Sequence, residues 1–309
     1  MDKNIFRILS LDGGGAKGIY SLGVLAEIEK KLGTPIVEHF DGFYGCSTGS
    51  IIAAGMAAGR TVDHAVRMYL ECIPRIMSCY RAASRTRLLR EALEKEFGNM
   101  PLDQLKKDTA IVTTSVEKDL PLIFKSHNYE KYKERLVVEP GTGHTVVEAV
   151  MASCSAPPFF TRAHIRRYGQ DKETFVVDGT YAFDNPILIA MVDAQREYNK
   201  KKEEIAAVSV GTGDFPLGVN PQLFFSIVFK MDKIMMANRL MDLNVNTMEL
   251  IRRAIFGDYR ILRINDTYAE RSLRTSLLEN NIKKLKMLYE KGRESFRRIE
   301  KDFDRLFLK

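Results

Sequence analysis

Apolar residues follow two different spacings along the first part of the chain. Residues 5–11 form a largely apolar run with β-branched and aromatic members that stops at Asp12-Gly13, and this predicts a first buried strand. Apolar residues then recur every three or four positions over 19–32, until Gly33 ends the pattern, which predicts a helix. A strand followed directly by a helix is the repeating unit of an α/β protein.

The same alternation continues to about residue 210. A short aromatic run over 40–44 precedes a helix of small and apolar residues near Ile51 that is able to pack tightly against a sheet. The further predicted strands are 110–115, 122–125, 175–178 and 205–210, and the further predicted helices are 62–72, 146–153 and 186–198. Strands separated by helices favour a mainly parallel central sheet with helices on both faces, and catalytic residues gather at the carboxyl ends of such strands.

The pattern changes after residue 220. Residues 223–229 are strongly apolar and are followed by methionines, which suits either a core helix or a functional element, namely a helix at a lipid interface or a lid over an acyl pocket. A last helix is expected over roughly 273–308, with one apolar stripe and basic residues opposite. Because no linker rich in Pro, Gly or Ser divides the chain, we expect a single domain. It comprises residues 1–309, with the motifs described below in 6–213 and a helical, basic region in 220–309.

The net charge of +7 comes from the C-terminal region. Residues 250–309 hold 16 Lys/Arg against 9 Asp/Glu, and the remainder of the chain is balanced. Such a region is able to meet anionic lipid headgroups or a phosphate-bearing ligand, and a solvated helix surface is the alternative. A nucleic acid polymer is not expected as a partner.

Three features of the sequence bear on the cell compartment. No apolar run is long enough to span a bilayer, and the charged N-terminus leads straight into the first predicted strand rather than into a signal sequence. The four cysteines show neither C-x-x-C spacing nor the density of a disulfide scaffold, and no metal site is expected. We therefore expect a cytoplasmic protein.

Two glycine-rich motifs follow the first two predicted strands. Gly13-Gly14-Gly15-Ala16-Lys17-Gly18 opens the first helix, where backbone N–H groups are free to hold an anion. Gly45-Cys46-Ser47-Thr48-Gly49 has the G-x-S-x-G spacing of a nucleophile elbow, in which small neighbours allow a strained, exposed serine. Together they predict an acyl-transfer site with Ser47 as nucleophile and the N–H groups of Gly13, Gly14 and Gly15 as oxyanion hole.

A serine nucleophile requires a base. None of the five histidines follows Asp178, which excludes the chain order Ser, Asp, His of the α/β-hydrolases if Asp178 is the acid. Asp178-Gly179 ends an apolar predicted strand, where partial burial raises the pKa of a carboxyl and makes it a better base. Asp178 is therefore the candidate partner of Ser47 in a dyad, and an ordinary turn is the alternative interpretation of one Asp-Gly pair.

These motifs together resemble those of the patatin-like phospholipases. Residues 12–18 are similar to the family's oxyanion-hole segment, 45–49 to its nucleophile elbow and Asp178-Gly179 to its dyad acid. Supporting matches are 152–160, Asn185-Pro186 and 209–213. The resemblance implies a patatin-like three-layer α/β sandwich that hydrolyses acyl esters of phospholipids or related lipids through a Ser-Asp dyad. It also implies that the chemistry needs no metal and no cofactor.

The resemblance gives a supporting role to further residues of the motifs. They are Lys17, Gly18, Gly45, Gly49 and Gly179. Lys17 is placed to assist with an anionic headgroup, and a solvated or capping lysine is the alternative. The chain departs from the family at Thr180, where Gly or Ala is usual, and this side chain is expected to narrow the space beside the base.

The opening of the chain is also similar to bacterial patatin-like effectors of antiphage defence. The likeness covers residues 6–15 and 18–21. It implies activation by a cyclic nucleotide and degradation of phospholipid at a membrane surface, with no residue assigned to the activator. The oligomeric state is left open, with a homodimer as one alternative.

Two other functions remain open from the sequence. Gly13-x-Gly15-x-x-Gly18 after a strand also fits the dinucleotide-binding fingerprint. That fingerprint expects an acidic residue about 20 positions later at the end of a second strand, whereas Glu38 precedes the next strand. A non-catalytic membrane-associating protein would use the apolar segment 223–229 and the basic C-terminal region. Neither function accounts for the motifs around Ser47 and Asp178.

Overall fold

The computed structural model describes residues 4–127, 137–169, 171, 173–214 and 233–308. The apolar segment 223–229 lies outside these residues, so its two interpretations stay predictions. In the described part of the chain, no helix combines the length and the apolar character needed to cross a membrane.

One sheet of nine strands organises the described residues. Its strands are β1 (Phe6–Leu11), β2 (Gly42–Cys46), β3 (Asp108–Ser115), β4 (Leu120–Lys125), β5 (Val137–Pro140), β6 (Ala163–Arg166), β7 (Glu173–Asp178), β8 (Ile205–Val210) and β9 (Arg260–Ile264). The main path is β5-β4-β3-β2-β1-β8-β9, and β7 joins β3 and carries β6 on its other edge. Strands β1, β2, β3, β8 and β9 are parallel, whereas β7 runs antiparallel to β3.

Helices cover both faces of the sheet. They are α1 (Gly18–Leu32), α2 (Thr48–Ala57), α3 (Val62–Met77), α4 (Ala82–Phe97), α5 (Val146–Ser153), α6 (Thr180–Phe183), α7 (Ile187–Arg196), α8 (Lys233–Phe256) and α9 (Ile282–Phe303). Side chains alternate along β1, so that Leu9 and Leu11 join the core beneath α1 and α2, whereas Ile8 joins the core beneath α7. This confirms the predicted three-layer α/β fold.

Most predicted elements lie close to their expected positions. The strand over 205–210 and the helix over 146–153 have the predicted bounds. The strand near the aromatic run over 40–44 begins two residues later than that run. Strand β2 pairs with β1 only from Gly42 onward, whereas Phe40 packs against Phe307. Strands β5, β6 and β9 and helix α4 were not predicted, since the strands are short and mix polar with apolar residues.

The expected start of the last helix near residue 273 was wrong. The Asn281 side chain accepts hydrogen bonds from the N–H groups of Lys283 and Lys284, so it caps α9, which begins at Ile282. Leu277 and Leu278 were assigned to the helical stripe, but they precede the helix and line a cavity instead. The prediction that the apolar stripe packs on the body of the protein is confirmed by the complete burial of Leu285, Leu288 and Phe303.

Helices α1 and α9 approach at backbone distance. A Cβ on Gly292 would lie 2.0 Å from the carbonyl oxygen of Tyr20, and a Cβ on Gly23 would lie 2.1 Å from that of Tyr289. These contacts fix α9 against the helix that the glycine-rich motif opens.

Replacing Gly292 by alanine should therefore destabilise the protein. We expect G292A to lower the free energy of unfolding by about 1–3 kcal/mol, because the added methyl group meets backbone that has no room to move. The matched control is G55A within α2, where a Cβ meets nothing within 4 Å. G55A should raise stability by up to about 1 kcal/mol through helix propensity. Urea denaturation measures both, and equal midpoints for the two variants would contradict the close contact.

Candidate active site

Ser47 occupies a strained turn between β2 and α2. Its φ and ψ are 49° and −123°, a conformation that a residue with a side chain rarely adopts. The Ser47 N–H donates to Ser153 Oγ at 2.8 Å, and the Ser47 carbonyl accepts the N–H of Ser50 at 2.8 Å. These bonds hold the strained backbone and turn the hydroxyl out of the sheet, as the G-x-S-x-G spacing predicts.

The first turn of α2 runs directly over the end of β1. A Cβ on Gly49 would lie 2.2 Å from the carbonyl oxygen of Leu11 and 2.6 Å from that of Asp12. Only glycine allows this approach, because any other residue would place a carbon inside the backbone of β1. The turn at Ser47 is thereby fixed beside the glycine-rich turn that follows β1.

The structure brings Ser47 and Asp178 together. Ser47 Oγ donates a hydrogen bond to Asp178 Oδ2 at 2.6 Å, and the N–H of Thr180 donates to Asp178 Oδ1 at 2.9 Å. Asp178 is 1% exposed and Ser47 is 8% exposed. A hydroxyl that already points its proton at a buried carboxylate has the arrangement required of a nucleophile and its base.

The contact arises because β2 and β7 run toward each other along the same edge of β3. Cys46 at the end of β2 pairs with Val112, and Asp178 at the end of β7 pairs with the next residue, Thr113. The carboxyl ends of the two strands therefore meet head to head. Ser47 follows one strand and Asp178 ends the other, so their side chains are neighbours.

Burial raises the pKa of Asp178 to about 6, and the hydrogen bonds from Ser47 and Thr180 limit the rise. A carboxyl with this pKa is ionised at neutral pH and is a stronger base than an exposed aspartate. None of the five histidines lines the cavity that contains this pair. The two-residue arrangement predicted from the sequence is thus the one that the described residues form.

The glycine-rich turn lies beside Ser47. The N–H of Gly13 donates to the carbonyl of Asp184 at 3.3 Å, whereas the N–H groups of Gly14 and Gly15 have no acceptor within the described residues. Gly15 has φ of 56°, and a Cβ there would lie 2.6 Å from the carbonyl oxygen of Leu277. The turn therefore presents two free donors, at Gly14 and Gly15, in a conformation that requires glycine.

Two buried side chains hold this turn. Tyr69, on α3, donates its hydroxyl to the carbonyl of Gly15 at 2.5 Å. Arg263, on β9, pairs with Asp12 through two hydrogen bonds of 2.9 and 2.5 Å and donates to Ser209 Oγ at 2.8 Å. The Arg263 and Asp12 side chains are only 10% and 2% exposed. A buried, bidentate ion pair fixes the residue that precedes the glycines.

The other predicted motif residues surround the same point. A Cβ on Gly18 would meet the hydroxyls of Thr48 and Tyr69, and a Cβ on Gly179 would meet the carbonyl oxygen of Val112. Gly45 lies under Gly49 in the elbow, and Lys17 lines the cavity. Thr180 lies where narrowing was expected, with its methyl carbon 2.5 Å from the position of a Cβ on Gly13.

A cavity of about 670 Å³ opens above Ser47 and Asp178. Apolar side chains of α2, α3 and α4 line it, among them Ile51, Ile73, Ile76, Met77 and Leu89. Polar and charged groups line it as well, among them Lys17, Asn246, Asn265 and Arg274. The volume is that of a site for a lipid-sized or drug-sized molecule.

Several residues of the site were not predicted from the sequence. Arg263, Tyr69 and Asp184 stand in no motif, and each reaches the glycine-rich turn from an element far away along the chain. Arg274 belongs to the basic region that was expected to meet phosphate, and this composition was the only signal that pointed to it. A lone buried arginine or tyrosine leaves no pattern that distinguishes it from others.

Removing the Arg263 guanidinium should leave the Asp12 carboxylate buried and unpaired. We expect R263M to lower the free energy of unfolding by about 3–5 kcal/mol, and D12N in the R263M background to recover much of this loss by removing the charge. Urea denaturation of the two single variants and the double variant measures the coupling. Additive effects of the two substitutions would contradict a direct pair.

Comparisons with known proteins agree with this geometry. The family model described as "Patatin-like phospholipase" matches residues 9–191. The chain is 39% identical over 293 residues to the "cUMP-AMP-activated phospholipase" of Escherichia coli, covering 95% of this chain and 91% of that protein. It is 28% identical to a "cGAMP-activated phospholipase" of Vibrio cholerae, covering 68% of this chain and 65% of that protein.

A solved structure supports the fold. The structure of VipD from Legionella pneumophila superposes with a TM-score of 0.52 at 12% sequence identity, covering 96% of this chain and 66% of that one. At this identity the likeness bears on the fold alone. The match over 9–191 includes both glycine-rich motifs and Asp178 and favours the hydrolase over the dinucleotide-binding alternative. The chain belongs to the patatin-like phospholipase family and is thereby a lipid acyl hydrolase.

Proposed function

We propose that this protein is a cyclic-dinucleotide-activated phospholipase in which Ser47 is the nucleophile, Asp178 the base and the glycine-rich turn the oxyanion hole. The observation that carries the proposal is the hydrogen bond of 2.6 Å from Ser47 Oγ to the buried Asp178 carboxylate at the wall of a large cavity. The proposed chemistry uses protein groups alone.

The first half of the reaction transfers the acyl group to Ser47. Ser47 Oγ attacks the ester carbonyl carbon while its proton moves to Asp178 Oδ2, and the carbonyl electron pair moves onto oxygen. The free N–H groups of Gly14 and Gly15 are the donors for that oxyanion, with Gly13 supporting the turn. When the tetrahedral intermediate collapses, the bond to the alcohol breaks and the leaving oxygen takes the proton from Asp178.

The second half releases the fatty acid. Asp178 takes a proton from water, and the resulting hydroxide attacks the acyl carbon on Ser47. The oxyanion again lies at the glycine turn. Collapse breaks the bond to Ser47 Oγ, which recovers its proton from Asp178, so that both residues return to their starting states.

The mixed lining of the cavity suits the mixed chemistry of a phospholipid. Its apolar side chains, which include Ile73, Ile76 and Leu89, have the chemistry of a fatty acyl chain. Lys17 and Arg274 also line the cavity and form no ion pair with any residue that the structure describes, so both cations are available to a phosphate. We infer that the scissile ester binds beside Ser47 in this cavity and that the enzyme works peripherally at a bilayer surface.

Activation by a cyclic dinucleotide is the second part of the proposal. It rests on the relatives that are named for activation by cUMP-AMP and by cGAMP, of which the first spans nearly the whole chain. A phospholipase controlled in this way would attack membrane lipid only when the nucleotide signal is present, which suits a role in antiphage defence. The binding site of the activator is not assigned to residues.

Substitution of the dyad should abolish hydrolysis. We expect S47A and D178N to release no fatty acid from phosphatidylglycerol vesicles with or without cUMP-AMP, because one removes the nucleophile and the other the base. The wild type should release fatty acid and should do so faster with cUMP-AMP than without it. Mass spectrometry of the lipids measures the products.

The matched control is S78A, at the exposed C-terminal end of α3. It should behave as the wild type. Hydrolysis by S47A at the rate of S78A would overturn the nucleophile assignment. Wild-type activity that responds to no member of a panel of cyclic dinucleotides would overturn the activation while leaving the hydrolase.

The rate should depend on the ionisation of Asp178. Because burial raises the pKa of Asp178 to about 6 and only the carboxylate accepts the Ser47 proton, kcat/KM should rise with pH through about 6 toward its value at neutral pH. Initial rates on a soluble short-chain ester, measured at constant ionic strength, give this profile. A rate that is already constant at about pH 4, where an exposed aspartate ionises, would contradict the raised pKa.

A further inference from the structure

A third acidic side chain lies in the same cavity, and the reaction described above does not use it. Asp184 follows α6, is 4% exposed and lines the cavity. Its Oδ1 is buried and has no hydrogen-bond partner within the described residues. A buried polar atom without a partner is unfavourable, and in a native protein it calls for an explanation such as a catalytic role.

The carboxyl of Asp184 is close to the proposed nucleophile. The position of a Cβ on Gly13 lies 2.2 Å from Asp184 Oδ1, 2.5 Å from the methyl carbon of Thr180 and 3.2 Å from Ser47 Cβ. The unsatisfied Asp184 carboxyl therefore lies beside the glycine turn and close to Ser47, in the cavity where the ester would be attacked, which suits a polar group of the substrate at this point.

We propose that Asp184 is a further catalytic residue, which acts as an uncharged acid and donates a hydrogen bond from its carboxyl to an oxygen of the ester attacked by Ser47. The inference rests on the proposed function. The Asp184 carboxyl would add a hydrogen-bond donor to those of Gly14 and Gly15. It would do so beside Gly13, whose N–H is already bonded to the Asp184 carbonyl.

Several titratable and charged groups surround the Asp184 carboxyl. The groups that face it are Asp12 at the end of β1, Asp178 at the end of β7, the Cys46 thiol at the end of β2, Lys17 in the glycine turn and Arg263 on β9. Arg263 is engaged by Asp12, and no described cation forms an ion pair with Asp184. Burial raises the pKa of Asp184 well above its ordinary value, and the nearby Asp12 and Asp178 raise it further.

The backbone of Asp184 is held from two sides. Its N–H donates to the side chain of Asn244 on α8 at 3.1 Å, and its carbonyl accepts the N–H of Gly13. Asn244 also donates to the carbonyl of Ala182 at 3.1 Å. The carboxyl is therefore presented from a fixed backbone, which is the condition for a donor that acts on a developing charge.

The test compares D184N, which keeps a donor but cannot ionise, with D184A, which has no donor. Phosphatidylglycerol hydrolysis is measured between about pH 5 and pH 9 with cUMP-AMP present. The wild type should lose activity at alkaline pH as Asp184 ionises, D184N should keep the neutral rate without that decline, and D184A should be slower by about 10²-fold at every pH. The control D103N, on an exposed turn, should follow the wild type.

Three results would overturn the role of Asp184. They are a D184N variant as slow as D184A, an alkaline decline that persists in D184N, and a D184A variant as fast as the wild type. A wild type that is inert toward the vesicles, with and without cUMP-AMP, would instead overturn the proposed function, and this inference with it.

A second measurement guards against variants that fold poorly. An acid whose pKa is raised by folding stabilises the protein below its unfolded pKa and loses that contribution as pH rises toward the folded value. The Tm of the wild type relative to D184N should therefore fall between about pH 5 and pH 9. A difference in Tm that does not change with pH would show that Asp184 is not kept neutral by folding, and would overturn the proposal.

Discussion

Strands β2 and β7 share one edge of β3 and point at each other, and the site depends on this arrangement. The pairs Cys46 with Val112 and Asp178 with Thr113 are consecutive along β3, so no residue separates the ends of the two strands. Their termini place a strained serine and a buried carboxylate at hydrogen-bond distance. A displacement of β7 by one residue would turn Asp178 to the opposite face of the sheet.

The second constraint is the density of acidic groups in one buried region. Asp12, Asp178 and Asp184 are all buried around the turn at Gly13, and each has a different environment. Among the residues that the structure describes, Asp12 is paired with Arg263, Asp178 receives hydrogen bonds from Ser47 and Thr180, and Asp184 has no ion pair and no partner for its Oδ1. Environment alone therefore separates three identical side chains into an ion-pair partner, a proposed base and a proposed neutral donor, as different burial and pairing do in other enzymes.

The C-terminal third contributes to the site although the family match ends at residue 191. Arg263 of β9 holds Asp12, the carbonyl of Leu277 accepts the N–H of Ala16, and Asn244 of α8 holds Asp184. Each contact reaches the glycine turn or its immediate neighbour. A shift of α8 or of the segment before α9 would therefore alter the donors beside Ser47, which gives a physical route by which a ligand bound elsewhere is able to change the activity.

Residue types and their local spacing were enough to predict the class of chemistry and the layers of the fold. Several signals pointed to Ser47 and Asp178. They are the two glycine motifs at predicted strand ends, the Asp-Gly pair after an apolar run, and the absence of any histidine after Asp178. Each signal is local, because it depends on residue type and spacing. The family and the three-layer fold followed from those motifs in their order. Their catalytic roles stay proposals.

The distant residues that complete the site could be identified only from the folded protein. Three features depend on contacts between segments far apart in the chain. Strand β7 is antiparallel to β3, Arg263 reaches Asp12, and Leu277 lines the cavity instead of extending α9. The spacing of residues along the chain predicts which side chains share a face of one helix or strand. It does not predict which helices and strands contact each other, because those contacts depend on the packing and burial of the whole chain.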